Sequence, residues 1–127
     1  MSEKKFSGVQ GIVEDPNVTS DFNSAAVFDN LRVGKLGVYF RSGLRMRYIP
    51  FTYMDRAFIR IHEVNGKLCC GSTVFQYFRL VFVHDDKEFA DSISENETAM
   101  NDALKEIARN APDVSIGFHE KKLTEPR

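Results

Sequence analysis

Cysteine and tryptophan are almost missing from this sequence. The chain has two cysteines among 127 residues, adjacent at Cys69 and Cys70, and it has no tryptophan. Secreted domains that depend on disulfides use more cysteines and space them apart. The cysteine content therefore excludes a disulfide scaffold and predicts a cytoplasmic protein.

Long apolar runs and an excess of one charge are also absent. No stretch reaches the roughly 18 apolar residues needed to cross a bilayer, and the N-terminus lacks the apolar core of a secretory signal. The 17 basic side chains nearly balance the 18 acidic ones, whereas nucleic-acid-binding domains are usually strongly basic. We expect one domain and no nucleic-acid partner.

The sequence motifs of familiar catalytic and cofactor sites are missing as well. The chain contains no GxGxxG, P-loop, HExxH or GxSxG pattern. We therefore expect no cofactor and no enzymatic activity.

What the sequence does contain is a series of short segments in which apolar and polar residues alternate. A period of two is typical of β-strands. Ser42-Gly43 and Asn65-Gly66 are turn signals between such segments, and short connections favour antiparallel neighbours. The pattern predicts seven strands, at about 27–33, 36–41, 44–51, 56–64, 67–74, 75–84 and 87–93.

One amphipathic helix follows these strands. Its apolar residues recur at helical spacing between positions 99 and 111. Ser94 and Glu97 have the spacing of a capping box, and Pro112 ends the pattern. We expect a helix over about 95–111 that packs its apolar stripe on the sheet.

The two ends of the chain are interpreted separately from the folded domain, which is predicted to span 26–118. We expect residues 1–25 to form a partly ordered N-terminal arm, with a few apolar residues that dock on the folded domain. We expect residues 119–127 to form a charged tail. Near the end of the arm two alternatives stay open, a helical turn capped by Ser20 or Asp21 and the start of the first strand.

Together, seven antiparallel strands and one closing helix predict a mainly β fold. Such a sheet hides its edges by curling into a partial barrel that the helix closes. With its segments 35–40, 48–51 and 60–71 and the closing helix, the chain resembles the pleckstrin-homology-like superfold, and in particular small bacterial domains of that type. The likeness covers about 26–118.

A basic cluster surrounds the Ser42-Gly43 turn and is the first candidate site. Arg45 and Arg47 share one strand face, with Arg41 across the hairpin and Lys35 nearby in sequence. Guanidinium forks suit phosphate and carboxylate oxygens, and the resemblance implies phosphate contacts from basic residues near the first hairpin. The alternative is a solvated strand face whose basic side chains cover apolar surface.

Three aromatic residues form the second candidate site. Alternation sends Tyr39, Phe58 and Tyr77 away from the aliphatic face that we assign to the core. Exposed aromatic side chains often mark interfaces, which predicts a partner surface here. The alternative is that a curled sheet, or the N-terminal arm, buries this second face.

Cysteine and histidine offer weaker candidates. His62 could approach Cys69 or Cys70 across the predicted hairpin and activate a thiolate, although alternation sends the two thiols to opposite faces. His84 stands beside Asp85 and Asp86, but acidic turn residues usually bond their own backbone. We expect neither a thiol enzyme nor a metal site.

These observations favour a non-enzymatic interaction module of the pleckstrin-homology-like type. It would bind a protein or peptide partner along an exposed strand edge or in the groove between helix and sheet, and self-association is one version of this. The alternative function is binding of an anionic ligand or membrane surface through the basic hairpin between Lys35 and Arg47.

Overall fold

The computed structural model describes the backbone of residues 5–68 and 71–124 and the side chains of residues 5–63 and 76–117. The described residues form ten strands and two helices. In chain order these are β1 (Phe6–Ser7), β2 (Ile12–Val13), α1 (Pro16–Ser24), β3 (Ala26–Phe28), β4 (Leu31–Val33), β5 (Gly37–Ser42), β6 (Arg45–Pro50), β7 (Arg56–Leu68), β8 (Gly71–His84), β9 (Lys87–Ser94), α2 (Glu97–Asn110) and β10 (Ser115–Thr124).

The strands form two separate sheets. Sheet A has the order β2-β1-β6-β5-β4-β3 and sheet B has the order β10-β7-β8-β9. The mainly β fold with a helix near its C-terminal end is confirmed. The prediction of seven antiparallel strands is wrong, because β1 pairs with β6 and β10 pairs with β7 in parallel. Parallel pairing needs a long connection between the two strands. The connection from β7 to β10 includes α2, so the chain can return across the sheet before β10 begins.

Two predicted strand boundaries are also wrong. The first predicted strand is a hairpin, β3 and β4, because Asp29 adopts a left-handed backbone conformation that reverses the chain. The predicted boundary between strands 67–74 and 75–84 is absent, since Gly71–His84 form one strand, β8, of 14 residues, and Lys67 and Leu68 belong to β7.

Asn65-Gly66 lies inside β7 and is not a turn. The register pairs Asn65 with Val74, and the pairing continues as far as Leu68 opposite Gly71. A reversal at Asn65-Gly66 would place the buried Ile59 opposite Ser72, whereas the observed register places it opposite Leu80. Burial of matched apolar residues therefore overrides the local turn signal.

The core lies between the two sheets and α2. As predicted, the apolar stripe of α2 is buried, through Met100, Ala103, Leu104 and Ile107. The helix begins two residues later than the Ser94 cap predicts. Asn96 is the N-cap, since its side chain accepts a hydrogen bond from Ala99 N at 3.0 Å. The core side chains of the sheets are Leu31, Val33, Val38, Phe40, Ile49, Ala57, Ile59, Phe78, Leu80 and Phe82.

The N-terminal segment adds β1 and β2 to sheet A, and its helix α1 covers the outer face of that sheet. The helix α1 begins at Pro16, and its N-cap Asp15 accepts a hydrogen bond from Asn17 N at 2.8 Å. The alternative caps at Ser20 or Asp21 are therefore wrong. Phe6, Val18 and Phe22 of this segment pack on two tyrosines of the sheet. At the other end of the chain, β10 extends to Thr124.

Neither α1 nor α2 has the length and apolarity to span a membrane, and the described part of the chain has no further helix.

Candidate functional site

The four basic residues predicted to bind a ligand do not form one cluster. Lys35 lies in the turn between β4 and β5, whereas Arg41, Arg45 and Arg47 lie at the opposite end of β5 and β6. A six-residue strand is about 20 Å long. Lys35 is therefore not part of the arginine site, because residues that are close in sequence lie far apart in space when an extended strand separates them.

The three arginines surround the tip of the β5–β6 hairpin. Arg45 pairs with Ser42 and Arg47 pairs with Phe40, so their side chains share one face. Arg41 pairs with Met46 and lies on the other face. Leu44 at the tip is 97% exposed. Among the side chains that the structure describes, none forms an ion pair with these arginines.

Tyr39 is not part of an exposed aromatic surface. Its ring is fully buried between sheet A and α1, and its hydroxyl donates to Asp21 Oδ2 at 2.6 Å. Burial, reinforced by that hydrogen bond to a carboxylate, holds the pKa of the Tyr39 phenol far above its ordinary value. Alternation correctly placed this ring away from the core face, but it carried no information about what covers the ring.

Phe58 is also buried, so the predicted partner surface is wrong at this position too. Its ring lies on the outer face of sheet B beneath two guanidinium groups, Arg56 at 4.5 Å and Arg60 at 5.2 Å. Arg60 is held by two hydrogen bonds to Glu88, at 3.0 and 2.6 Å. Tyr77 is half-buried and stacks on His62 at 4.7 Å. These contacts cover Phe58 completely and Tyr77 in part.

The cysteine pair lies outside the described residues, so its chemistry stays a hypothesis. His84 is held by the backbone, with Nδ1 2.7 Å from the Tyr53 carbonyl oxygen and 3.8 Å from Asp55 Oδ2. Because a carbonyl only accepts, Nδ1 carries the hydrogen. In the part of the chain with described side chains, no three histidine, cysteine, aspartate or glutamate residues come together as metal ligands.

The strand β9 is one of the two edge strands of sheet B, and unlike β10, the other one, it has described side chains along its whole length. In sheet B, β10 covers the outer edge of β7, whereas β9 has only β8 as a neighbour. The carbonyl of Ile93 points away from β8, since it accepts a hydrogen bond from Asn30 Nδ2 at 2.8 Å. Because main-chain directions alternate along a strand, Asp91 also presents its N–H and C=O groups to this open side.

Two depressions lie along β9. One of about 230 Å³ is lined by residues 88–91 with Val81, and one of about 660 Å³ is lined by residues 93–98 with Asp29. Ile93, which lines the larger depression, is 46% exposed. A register shift opposite Phe82 and Val83 bends the first half of β9, which leaves 90–94 as the regular part of the edge.

The groove between helix and sheet lies at the other end of the molecule. It has a volume of about 620 Å³ and runs between the C-terminal end of α2 and two turns of sheet A. Lys35 stands on one wall, and Asp55 and Asp113 stand on the others. The groove thus has charges of both signs, and none of its lining residues belongs to a strand, so the β9 edge is the stronger candidate for strand addition.

No protein-family model, curated protein or solved structure matches the chain.

Proposed function

We propose that this chain is a non-enzymatic, pleckstrin-homology-like interaction module that binds an extended segment of a protein partner along β9. The observation that carries the proposal is the edge of β9, which has only β8 as a strand neighbour and is regular over 90–94. The scarcity of cysteine supports a cytoplasmic setting for it.

The edge of β9 supplies what strand addition needs, which is main-chain groups for pairing and depressions for side chains. The outward N–H and C=O groups of Asp91 and the outward N–H of Ile93 would pair with the main chain of the added segment and provide affinity, whereas the Ile93 carbonyl already accepts from Asn30 Nδ2. Successive side chains of the segment point to opposite faces of the sheet. Those on one face would enter the depressions beside β9, which would provide specificity.

Selection of peptides on the folded chain tests this proposal. A random peptide library displayed on phage is selected on the immobilised protein, and the selected peptides are synthesised and titrated into ¹⁵N-labelled protein. Amide shifts should concentrate in 90–94 and its neighbours in β8. Ile93→Lys should abolish binding, because charged residues at a strand edge oppose pairing.

Ile12→Lys is the matched control, since Ile12 is also exposed, at 66%, but lies on β2 of the other sheet. This variant should bind the peptides as the unmodified chain does. Shifts confined to another surface, or equal binding by both variants, would contradict docking at β9.

A second candidate function is binding of an anionic membrane surface through the tip of the β5–β6 hairpin. Arg41 lies on the opposite face from Arg45 and Arg47, so the three cannot converge on one small anion. All three can approach a plane, with the exposed Leu44 between them as an apolar anchor. Their lack of ion pairs among the described side chains leaves this charge uncompensated.

Vesicle sedimentation distinguishes this function from peptide docking. Phosphatidylcholine vesicles that contain phosphatidylserine should sediment the chain at low salt, and binding should fall as salt rises. The double variant Arg45→Ala, Arg47→Ala should lose binding, Leu44→Ser should weaken it, and Lys35→Ala should leave it unchanged. Undiminished binding by the double variant would exclude the hairpin as the membrane site.

A further inference from the structure

We propose that the segment bound along β9 runs antiparallel to it and carries basic residues in its N-terminal half. This inference rests on the proposed docking edge and adds the direction and charge of the partner.

The first argument is the distribution of charge along the edge. In the middle of β9, Asp91 is paired with Arg79 at 2.9 Å, and Glu88 near its start is paired with Arg60. Beyond Ser94, Glu95 and Glu97 are exposed and form no ion pair among the described side chains. The uncompensated negative charge is therefore concentrated where β9 leads into α2.

The second argument is the shape of that end. The larger depression, of about 660 Å³, is lined by Asp29, Glu95 and Glu97 together with Ile93 and its neighbours, and no basic side chain lines it. The depression begins at the exposed Ile93, where the proposed main-chain pairing ends. Lysine or arginine side chains of a bound segment could therefore reach the carboxylates directly from the edge.

The third argument fixes the direction. Asn30 Nδ2 already donates to the Ile93 carbonyl, in the place where the N–H of a neighbouring strand would donate. A paired segment would therefore leave the edge at this point and continue over the depression. Antiparallel addition is the commoner and more stable arrangement, and it places the N-terminal residues of the segment at this acidic end.

Three labelled peptides test the inference by fluorescence anisotropy. All share the core Thr-Val-Thr-Val-Thr-Val; the first carries two lysines before the core, the second carries them after it, and the third carries two glutamates before it. The first should bind roughly threefold to tenfold more tightly than the other two, as expected for a few charge pairs at the rim of an interface.

The double variant Glu95→Gln, Glu97→Gln should remove most of this difference, and so should high salt. Asp113→Asn is the matched control, because Asp113 is an exposed carboxylate in the remote groove, and it should keep the difference. Thermal melts confirm that each variant is folded. A difference that persists in the double variant would overturn the role of these carboxylates.

The outcomes separate this inference from the proposed function. Equal affinities, or tighter binding of the second peptide, with amide shifts at 90–94 would overturn the charge and direction while supporting the docking edge. Shifts elsewhere, or no binding by any of the peptides and none by peptides selected from the library, would overturn both.

Discussion

Asp21 shows how much of this structure depends on one polar side chain. Its carboxylate accepts hydrogen bonds from Lys35 N at 2.8 Å, Leu36 N at 3.0 Å and the Tyr39 hydroxyl at 2.6 Å. Gly34 makes room for this contact, because a Cβ there would lie 2.2 Å from Asp21 Oδ2. The carboxylate thus fastens α1 to the turn between β4 and β5.

Removal of this carboxylate should destabilise the chain. Asp21→Ala leaves three donors without their acceptor, one of them on a buried phenol, and the free energy of unfolding should fall by about 2 kcal/mol. Asp21→Asn keeps an acceptor oxygen and should cost less. Urea unfolding measures both, with the exposed Asp113→Ala as the control. A loss of less than about 0.5 kcal/mol in Asp21→Ala, as for an ordinary surface change, would contradict the role of this contact.

The same residue marks what alternation can and cannot predict at the residue scale. The two-residue period correctly assigned Tyr39 to the face opposite Val38 and Phe40. It could not predict that α1 covers that face, since the cover comes from a segment that lacks strand alternation. Charge alone likewise could not predict that Arg60 would shield Phe58.

At the scale of elements, the helical period was reliable, whereas of the two turn signals only Ser42-Gly43 marks a reversal of the chain and Asn65-Gly66 does not. The apolar stripe of α2 spans four turns and predicted both the helix and its buried face. Asn65-Gly66 is a two-residue signal, and the pairing of β7 with β8 over 13 residue pairs outweighed it. A short segment specifies its own backbone preference, whereas the register depends on how many apolar residues the whole hairpin buries.

At the scale of the molecule, the candidate site is a product of topology. The 87–93 segment was predicted as a strand, but the absence of a neighbour on one side of β9 depends on where β10 pairs. The pairing of β10 with β7 depends on α2, which precedes β10 and leads the chain back to β7. No local pattern in 87–94 distinguishes an edge strand from a central one, so the candidate docking edge could not be assigned from the sequence.

Because the N-terminal segment packs on sheet A, the free energy of unfolding should also depend on pH in the alkaline range. Burial, followed by the nearby Asp21 carboxylate, raises the pKa of the phenols of Tyr39 and Tyr48. In the unfolded chain these phenols ionise near pH 10. The unfolded state therefore releases protons that the folded state retains, and the free energy of unfolding should fall as the pH rises above about 10.

Urea unfolding between about pH 8 and pH 11 measures this decline, which should be absent below the ordinary tyrosine pKa. Tyr39→Phe keeps the buried ring and removes one of the two titrating groups. It should lower stability near neutral pH, through the lost hydrogen bond to Asp21, yet show a shallower alkaline decline. If the variant declines as steeply as the unmodified chain, the alkaline loss arises from other groups, and the phenol beneath α1 is not its source.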